Sequence, residues 1–254
     1  ELYLGGESPY LAFLKRATSF LKEDGILLLA IENRLGLKYW NGAVDDQTGL
    51  CFDGICGYPL SSSPRTFSRG QMLALLQQAG LKSIDEYFPF PDHRSPSSIL
   101  TKELIALSPA LAADIAYSRG RDNSEARSTQ NFPDLLACNT IAEAGLLCEF
   151  SNSFLFLAAA NPDSATRQKI RRAEADRNAV AWHYSNNCRV PTSTLFVKRT
   201  DNTIEVIKEP LVSKETESIP FSDSYLEVWW RAPAPTPVMP GRPLRFLWMS
   251  TAYF

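Results

Sequence analysis

A carboxylate, an amide and a guanidinium stand side by side at Glu32, Asn33 and Arg34, directly after the unbroken apolar run ILLLAI at 26–31. An ordinary loop would place turn formers there. In an open α/β sheet, ligands collect outside the carboxyl ends of the strands, where successive loops diverge. The triplet therefore marks the start of a candidate site. The segment that follows, ENRLGLKYWNGAVDDQTGLCFDGICGY at 32–58, is dense in glycine, aromatic and acidic residues. Loops longer than about 12 residues are usually functional or disordered, and the aromatics argue against disorder. A second stretch, FPFPDHR at 88–94, uses two prolines to stiffen a turn presenting Asp92, His93 and Arg94.

Each of these residues has a plain structural use as well. His93 is a candidate base by type, or an incidental loop histidine. Glu32 could cap a neighbouring helix or pair with Arg34. Asp45, Asp46 and Asp53 are the commonest sort of turn former beside glycine. Tyr39 and Trp40 could form a core edge, or a stacking platform for a sugar or adenine ring.

The elements that must position these groups are legible from pattern. Ser8 and Pro9 make a helix start. Leu11, Leu14, Thr18 and Leu21 recur on one face, with Gly25 as the expected stop. The run at 26–31 lacks polar alternation and suits a strand covered on both faces, as in a parallel sheet. Ser68 and Gln71 form a capping-box pattern before Met72, Leu73, Leu76 and Ala79, and Gly80 closes that helix. Residues 82–90 read as a strand. Leu104, Ile105, Leu107, Leu111 and Ile115 line helical segments that Pro109 bends or divides. A polar loop is expected at 118–130, a short helix at 135–147 and an aromatic strand at 150–159. The charged stretch 161–178 reads as a solvated linker helix, with a phosphate- or membrane-docking basic face as the alternative. Segments 194–198 and 204–208 flank Asp201 and Asn202 as a hairpin.

Helix, strand, loop, helix, strand is the rhythm of an α/β layered domain. The division expected is a first domain at 1–160, a helical linker at 161–185, the opening of a second domain at 186–230, and a proline-rich irregular tail at 231–254.

Composition bounds the partners. The 254 residues are 44% hydrophobic and 21% charged, with a formal net charge of -2. That is ordinary globular usage, and it gives no global attraction to nucleic acid. The five cysteines include no CxxC pair, and there are only two histidines. No metal site of the usual zinc spacing is expected, and reduced thiols in a cytosolic protein are. No apolar run reaches the roughly 18 residues of a membrane span. A start at Glu1 rather than Met is expected of a fragment or processed piece.

The run SPYLAFLKRATSFLKEDGILLLAIENRLGLKYW at 8–40, together with DDQTGLCFDGICGYP, PRTFSRGQM and YFPFPD, resembles the later part of class I S-adenosylmethionine-dependent methyltransferases. The closest likeness is to those associated with bacterial surface-polysaccharide synthesis. It covers roughly residues 1–160, and LKEDG matches the turn before the family's fifth strand. The resemblance implies a partial Rossmann-like methyltransferase sheet flanked by helices, followed by a linker helix and an incomplete second domain. It implies methyl transfer from S-adenosyl-L-methionine to a saccharide or glycolipid acceptor, in the cytoplasm or peripherally at the inner membrane. Glu32, Asp46 and His93 would then be the catalytic candidates. Asn33, Arg34, Tyr39, Trp40, Asp53, Tyr58 and Arg65 would bind substrate, with Arg34 suited to a phosphate or uronate.

Two departures matter. The family's glycine-rich cofactor loop and the acidic residue after its second strand have no match in the chain, so the cofactor-binding residues stay unassigned. Gln47 stands where histidine is expected. The alternative function is a catalytically inactive module docking a glycosyltransferase or kinase partner. Lys208 faintly resembles the phosphate-binding lysine of a kinase lobe, against its reading as an exposed edge-strand residue.

Overall fold

The computed structural model describes residues 8–59, 65–117, 130–175, 178–185, 191–211 and 248–249. The expectations for 1–6, for 118–129, for most of 212–254 and for Cys188 lie outside the described residues.

A mixed α/β architecture is observed, built on one sheet. The strands in chain order are β1 (Leu27–Glu32), β2 (Ser83–Phe90), β3 (Ser98–Thr101), β4 (Ser153–Ala159), β5 (Ala179–Ser185), β6 (Thr192–Lys198), β7 (Ile204–Pro210) and the two-residue β8 (Trp248–Met249). They lie in the order β7-β6-β5-β3-β2-β4-β1-β8. Among the described residues, every neighbouring pair from β7 to β1 is antiparallel, and β8 runs parallel beside Leu28 and Leu29. The parallel pairing expected for β1 is thus absent on its β4 side.

Its burial is as expected. All six residues of β1 are buried, because alternate side chains enter two different cores. Leu27, Leu29 and Ile31 join the large cluster with Leu76, Phe88, Phe154 and Phe156. Ile26 and Leu28 join Leu157 and Ala159 on the opposite face. Burial of each such Leu or Phe contributes about 1.5–3 kcal/mol, which is why no polar residue interrupts the run.

The larger core is covered by α1 (Pro9–Ser19), α3 (Arg69–Gln78), α4 (Lys102–Leu107), α5 (Pro109–Ala116) and α6 (Asp134–Glu143). The one-turn helices α2 (Leu37–Trp40) and α7 (Leu147–Phe150) sit beside them in the chain. The capping box forms as read: Ser68 accepts from the Gln71 N–H and Gln71 reaches back to Ser68. Gly80 follows α3 at φ +92°. Pro109 does divide its segment, opening α5 after Ser108.

Gly25 is not the stop of α1. The helix ends at Ser19, and the Ser8 side chain makes no capping bond. Gly25 instead closes a tight turn in which a Cβ would lie 2.9 Å from both the Lys22 nitrogen and oxygen. The linker at 161–185 holds a helix, α8 (Ala165–Ala175), and then β5. Nor is α8 wholly solvated. Ile170 packs on the smaller core, and Arg167 grips Asp85 of β2 through Nε at 2.8 Å and a terminal nitrogen at 2.9 Å. The β6–β7 hairpin, placed in a second domain by the sequence, continues the same sheet through β5. Lys208 is exposed on the edge strand β7.

Candidate functional site

Both β1 and β2 run antiparallel to β4, so they are parallel to each other and end at the same edge of the sheet. Their exits bring together groups distant in sequence. Glu32 closes β1, Lys38 and Tyr39 stand on α2, Asp46 lies in the long loop, and Asp92, His93 and Arg94 follow β2. The three catalytic candidates read from the sequence therefore meet.

Asn152, just before β4, aligns the two exits. Its Oδ1 accepts from the Lys38 N–H at 2.9 Å, and its Nδ2 donates to the Pro91 carbonyl at 3.0 Å. Gly36 lies so close that an added Cβ would meet the Asn152 Cα at 2.9 Å.

Lys38 Nζ lies 3.1 Å from Glu32 Oε1, 3.2 Å from Asp92 Oδ2 and 3.7 Å from Asp46 Oδ2, with only 6% of its side chain exposed. The Tyr39 hydroxyl donates to Glu32 Oε2 at 2.9 Å. One terminal nitrogen of Arg94 reaches Glu32 Oε1 at 2.5 Å, Asp46 Oδ2 at 2.5 Å and Asp92 Oδ2 at 3.2 Å. The Arg94 side chain is 56% exposed and that of Asp46 35%, so these two form the outer wall over Glu32, which is 4% exposed.

Desolvation sets the ionisation pattern. Burial, with a hydrogen bond shared with Asp46, lifts the Glu32 carboxyl to about 7 against the pull of Lys38 and Arg94. Burial also opposes ionisation of Asp46, but the bond from Glu32 and the charges of Lys38 and Arg94 outweigh it and the net shift is downward. Burial raises Asp92 too, yet Lys38, the Arg94 N–H and the His93 and Arg94 charges hold it well below the usual carboxylate range. Desolvation lowers His93 and raises Tyr39. The outcome is a buried acid that titrates near neutrality beside two that ionise at lower pH.

The remaining substrate-binding candidates separate. Asn33 is fully buried and spent on the fold: its Nδ2 donates to the carbonyls of Glu149 and Ser151, both at 2.7 Å, and its Oδ1 accepts from Leu35. Trp40 is partly exposed and leans on Phe150 at 6.3 Å, outside the network. Arg34 and Arg65 stack on the Tyr58 ring at 5.6 and 6.0 Å, and Arg34 Nε bonds the Gly54 carbonyl. The Tyr58 hydroxyl donates to Asp45 Oδ2 at 3.0 Å. Asp45 is buried and caps the N–H groups of Gln47 and Thr48 through Oδ1, which joins this second cluster to Asp46 next door. Asp53 is buried, with Oδ2 making no hydrogen bond. Phe52 and Tyr58 hold positive φ values of 62° and 59°. Such strain persists only where surrounding bonds over-determine the backbone.

Lys38, Asn152 and the direct roles of Asp92 and Arg94 escaped the sequence reading. A lysine inside the apolar run LGLKYW was the available signal for Lys38. Far from this edge, a shallow open depression of about 410 Å³ lies near the amino ends of β1 and β2, against Thr18, Leu21, Lys22, Lys82 and Asn161. It shares no residue with the site.

The glycine at the β1 exit, Gly36, leaves no cradle, because Asn152 fills the space its missing Cβ opens. In comparisons with known proteins, no family model, no curated protein and no solved structure matches the chain.

Proposed function

We propose that the chain forms the acceptor side of an S-adenosylmethionine-dependent methyltransferase acting on a saccharide or related acceptor in cell-surface glycan synthesis. One observation carries the reading: motif residues from three separate segments, Glu32, Asp46 and His93, converge at the shared carboxyl edge of β1 and β2. That edge is where an open α/β sheet binds its ligands. In the Rossmann-like arrangement the resemblance implies, further parallel strands would lie beyond β1, the side on which β8 pairs in parallel.

The donor would supply the methyl group, and this chain's residues would handle the acceptor. Asp46 is the partly exposed carboxylate that an acceptor hydroxyl meets first, and it would take the hydroxyl proton. Lys38 and Arg94 hold its charge in place. Arg34 and Arg65, stacked on Tyr58, would orient an anionic part of the acceptor.

The test is incorporation of labelled methyl from S-adenosylmethionine into bacterial surface polysaccharide by the full chain, with titration by S-adenosylhomocysteine alongside. Asp46→Asn should lower incorporation by about 10²–10⁴-fold, the usual worth of a positioned base. Wild-type rates in that variant would refute the assignment. The second reading is a docking module for a glycosyltransferase or kinase partner. No heat with S-adenosylhomocysteine and no methyl incorporation would decide for it.

A further inference from the structure

Three carboxylate oxygens converge on a single point at the edge of the site, and the group standing there is the terminal nitrogen of Arg94. Glu32 and Asp46 approach it to 2.5 Å and Asp92 to 3.2 Å. A divalent cation with carboxylate ligands is held by convergent oxygens in the same way. Beside them, His93 Nδ1 is buried, with 6% of the side chain exposed, lies 3.6 Å from Asp92 Oδ1, and makes no hydrogen bond. An imidazole nitrogen that has given up water without gaining a partner is uncommon in a folded protein.

We propose that Glu32, Asp92 and His93 bind a divalent first-row metal ion, with Arg94 acting as the displaceable cation that covers the site and Asp46 closing it from the rim. One ligand atom from each of the three lies within 4.8 Å of the other two, close enough to share one ion. Two carboxylates and an imidazole suit Mn²⁺ or its neighbours better than an all-oxygen ion. The surroundings resemble a ligand shell already braced. Tyr39 fixes Glu32 through Oε2, and the Arg94 N–H fixes Asp92 through Oδ1 at 2.6 Å. Such outer bonds orient ligands in established sites.

Charge decides which cation leaves. The Lys38 ammonium is buried between Glu32 and Asp92 on a backbone that Asn152 holds through the Lys38 N–H, whereas the Arg94 side chain is more than half exposed and can turn into solvent. With Arg94 out and the Glu32 proton displaced by the incoming ion, three carboxylates against one ammonium leave a charge of two to be met by the ion. Spacing could not show this set, since its members come from two different strand exits.

The inference shares the site of the proposed function but not its reaction. Metal binding is measured with neither methyl donor nor acceptor present, so either reading can fail alone. The probe is Mn²⁺, which thiols bind poorly, titrated into chelator-treated full chain and followed by the loss of its free electron-paramagnetic-resonance signal. One equivalent should bind. His93→Ala should weaken binding by about tenfold or more with the apo circular dichroism spectrum unchanged, the scale on which ligand-shell losses act. Arg94→Ala should tighten it by a similar factor, which a purely structural Arg94 would not do. No binding in both wild type and Arg94→Ala, or binding indifferent to His93→Ala, overturns the proposal.

Discussion

Lys38→Met tests whether the network is as buried as its geometry states. Methionine keeps most of the lysine's length and volume, so little of the loss is a cavity effect. What disappears is the ammonium 3.1 Å from Glu32 and 3.2 Å from Asp92, in a side chain 6% exposed. Removing one partner of a buried pair costs about 3–5 kcal/mol, because the other charge stays desolvated and uncompensated. Arg94 remains on the same carboxylates, which places the expectation near the lower end, at about 3 kcal/mol. In urea unfolding followed by tryptophan fluorescence, an m-value of about 3 kcal/mol/M turns that into a midpoint lower by about 1 M. Adding Asp92→Asn to Lys38→Met removes the orphaned charge and should restore about 1–2 kcal/mol, a coupling of the size that contacting residues show. A single variant within about 0.3 M of wild type, or a double variant no better than the single, would refute the buried-pair account.

Asn152→Leu should cost about 2–4 kcal/mol in the same assay, since the Lys38 N–H and the Pro91 carbonyl both lose their partner. Asp45→Ala removes the acceptor of the Gln47 and Thr48 N–H groups and of the Tyr58 hydroxyl. Limited proteolysis should then cut within 44–57 at least several-fold faster, with the sheet's far-ultraviolet signal intact. Stability should also fall between pH 4.5 and 7 in chelator-treated protein. Glu32 sits at about 7 in the fold against 4.5 when unfolded. The stability its bound proton gives is complete below 4.5 and lost as pH rises through 7. Asp92 has the opposite sign, losing its contribution only under acid conditions below that window. Denaturation midpoints for Glu32→Gln should therefore be flatter across pH 4.5–7, and equal slopes in the two proteins would contradict the burial of Glu32.

Local signals survived into the structure where one short segment decides the outcome. The capping box at Ser68, the division at Pro109 and the two-faced burial of 26–31 each depend on a few adjacent residues. Gly25 misled because glycine serves both helix ends and tight turns, and only the 2.9 Å approach of Lys22 tells which. Strand direction was illegible for a different reason. A strand buried on both faces has the same composition whether its neighbour runs parallel or antiparallel, and β4 arrives from 153–159, far along the chain. The linker's helix was legible but its docking was not: Arg167 looks solvated by type, and Asp85 across the fold makes its burial tolerable.

The triplet that ends β1 divides its labour by position. Alternation along an extended chain sends neighbouring side chains to opposite sides, and the chain leaves the strand within that same triplet. Glu32 turns into the charged network. Asn33 turns the other way, where its amide anchors the strand exit to 149–151. Arg34 emerges on the loop and clamps Gly54 and Tyr58. The first and third therefore each enter one of the two polar clusters, and the middle one fixes the angle at which they do so. Substituting Asn33 should accordingly damage both clusters together through the backbone, whereas Glu32 and Arg34 variants should each disturb one. That separation is open to a double-mutant cycle: Glu32→Gln and Arg34→Ala should add within about 0.5 kcal/mol, as independent sites do.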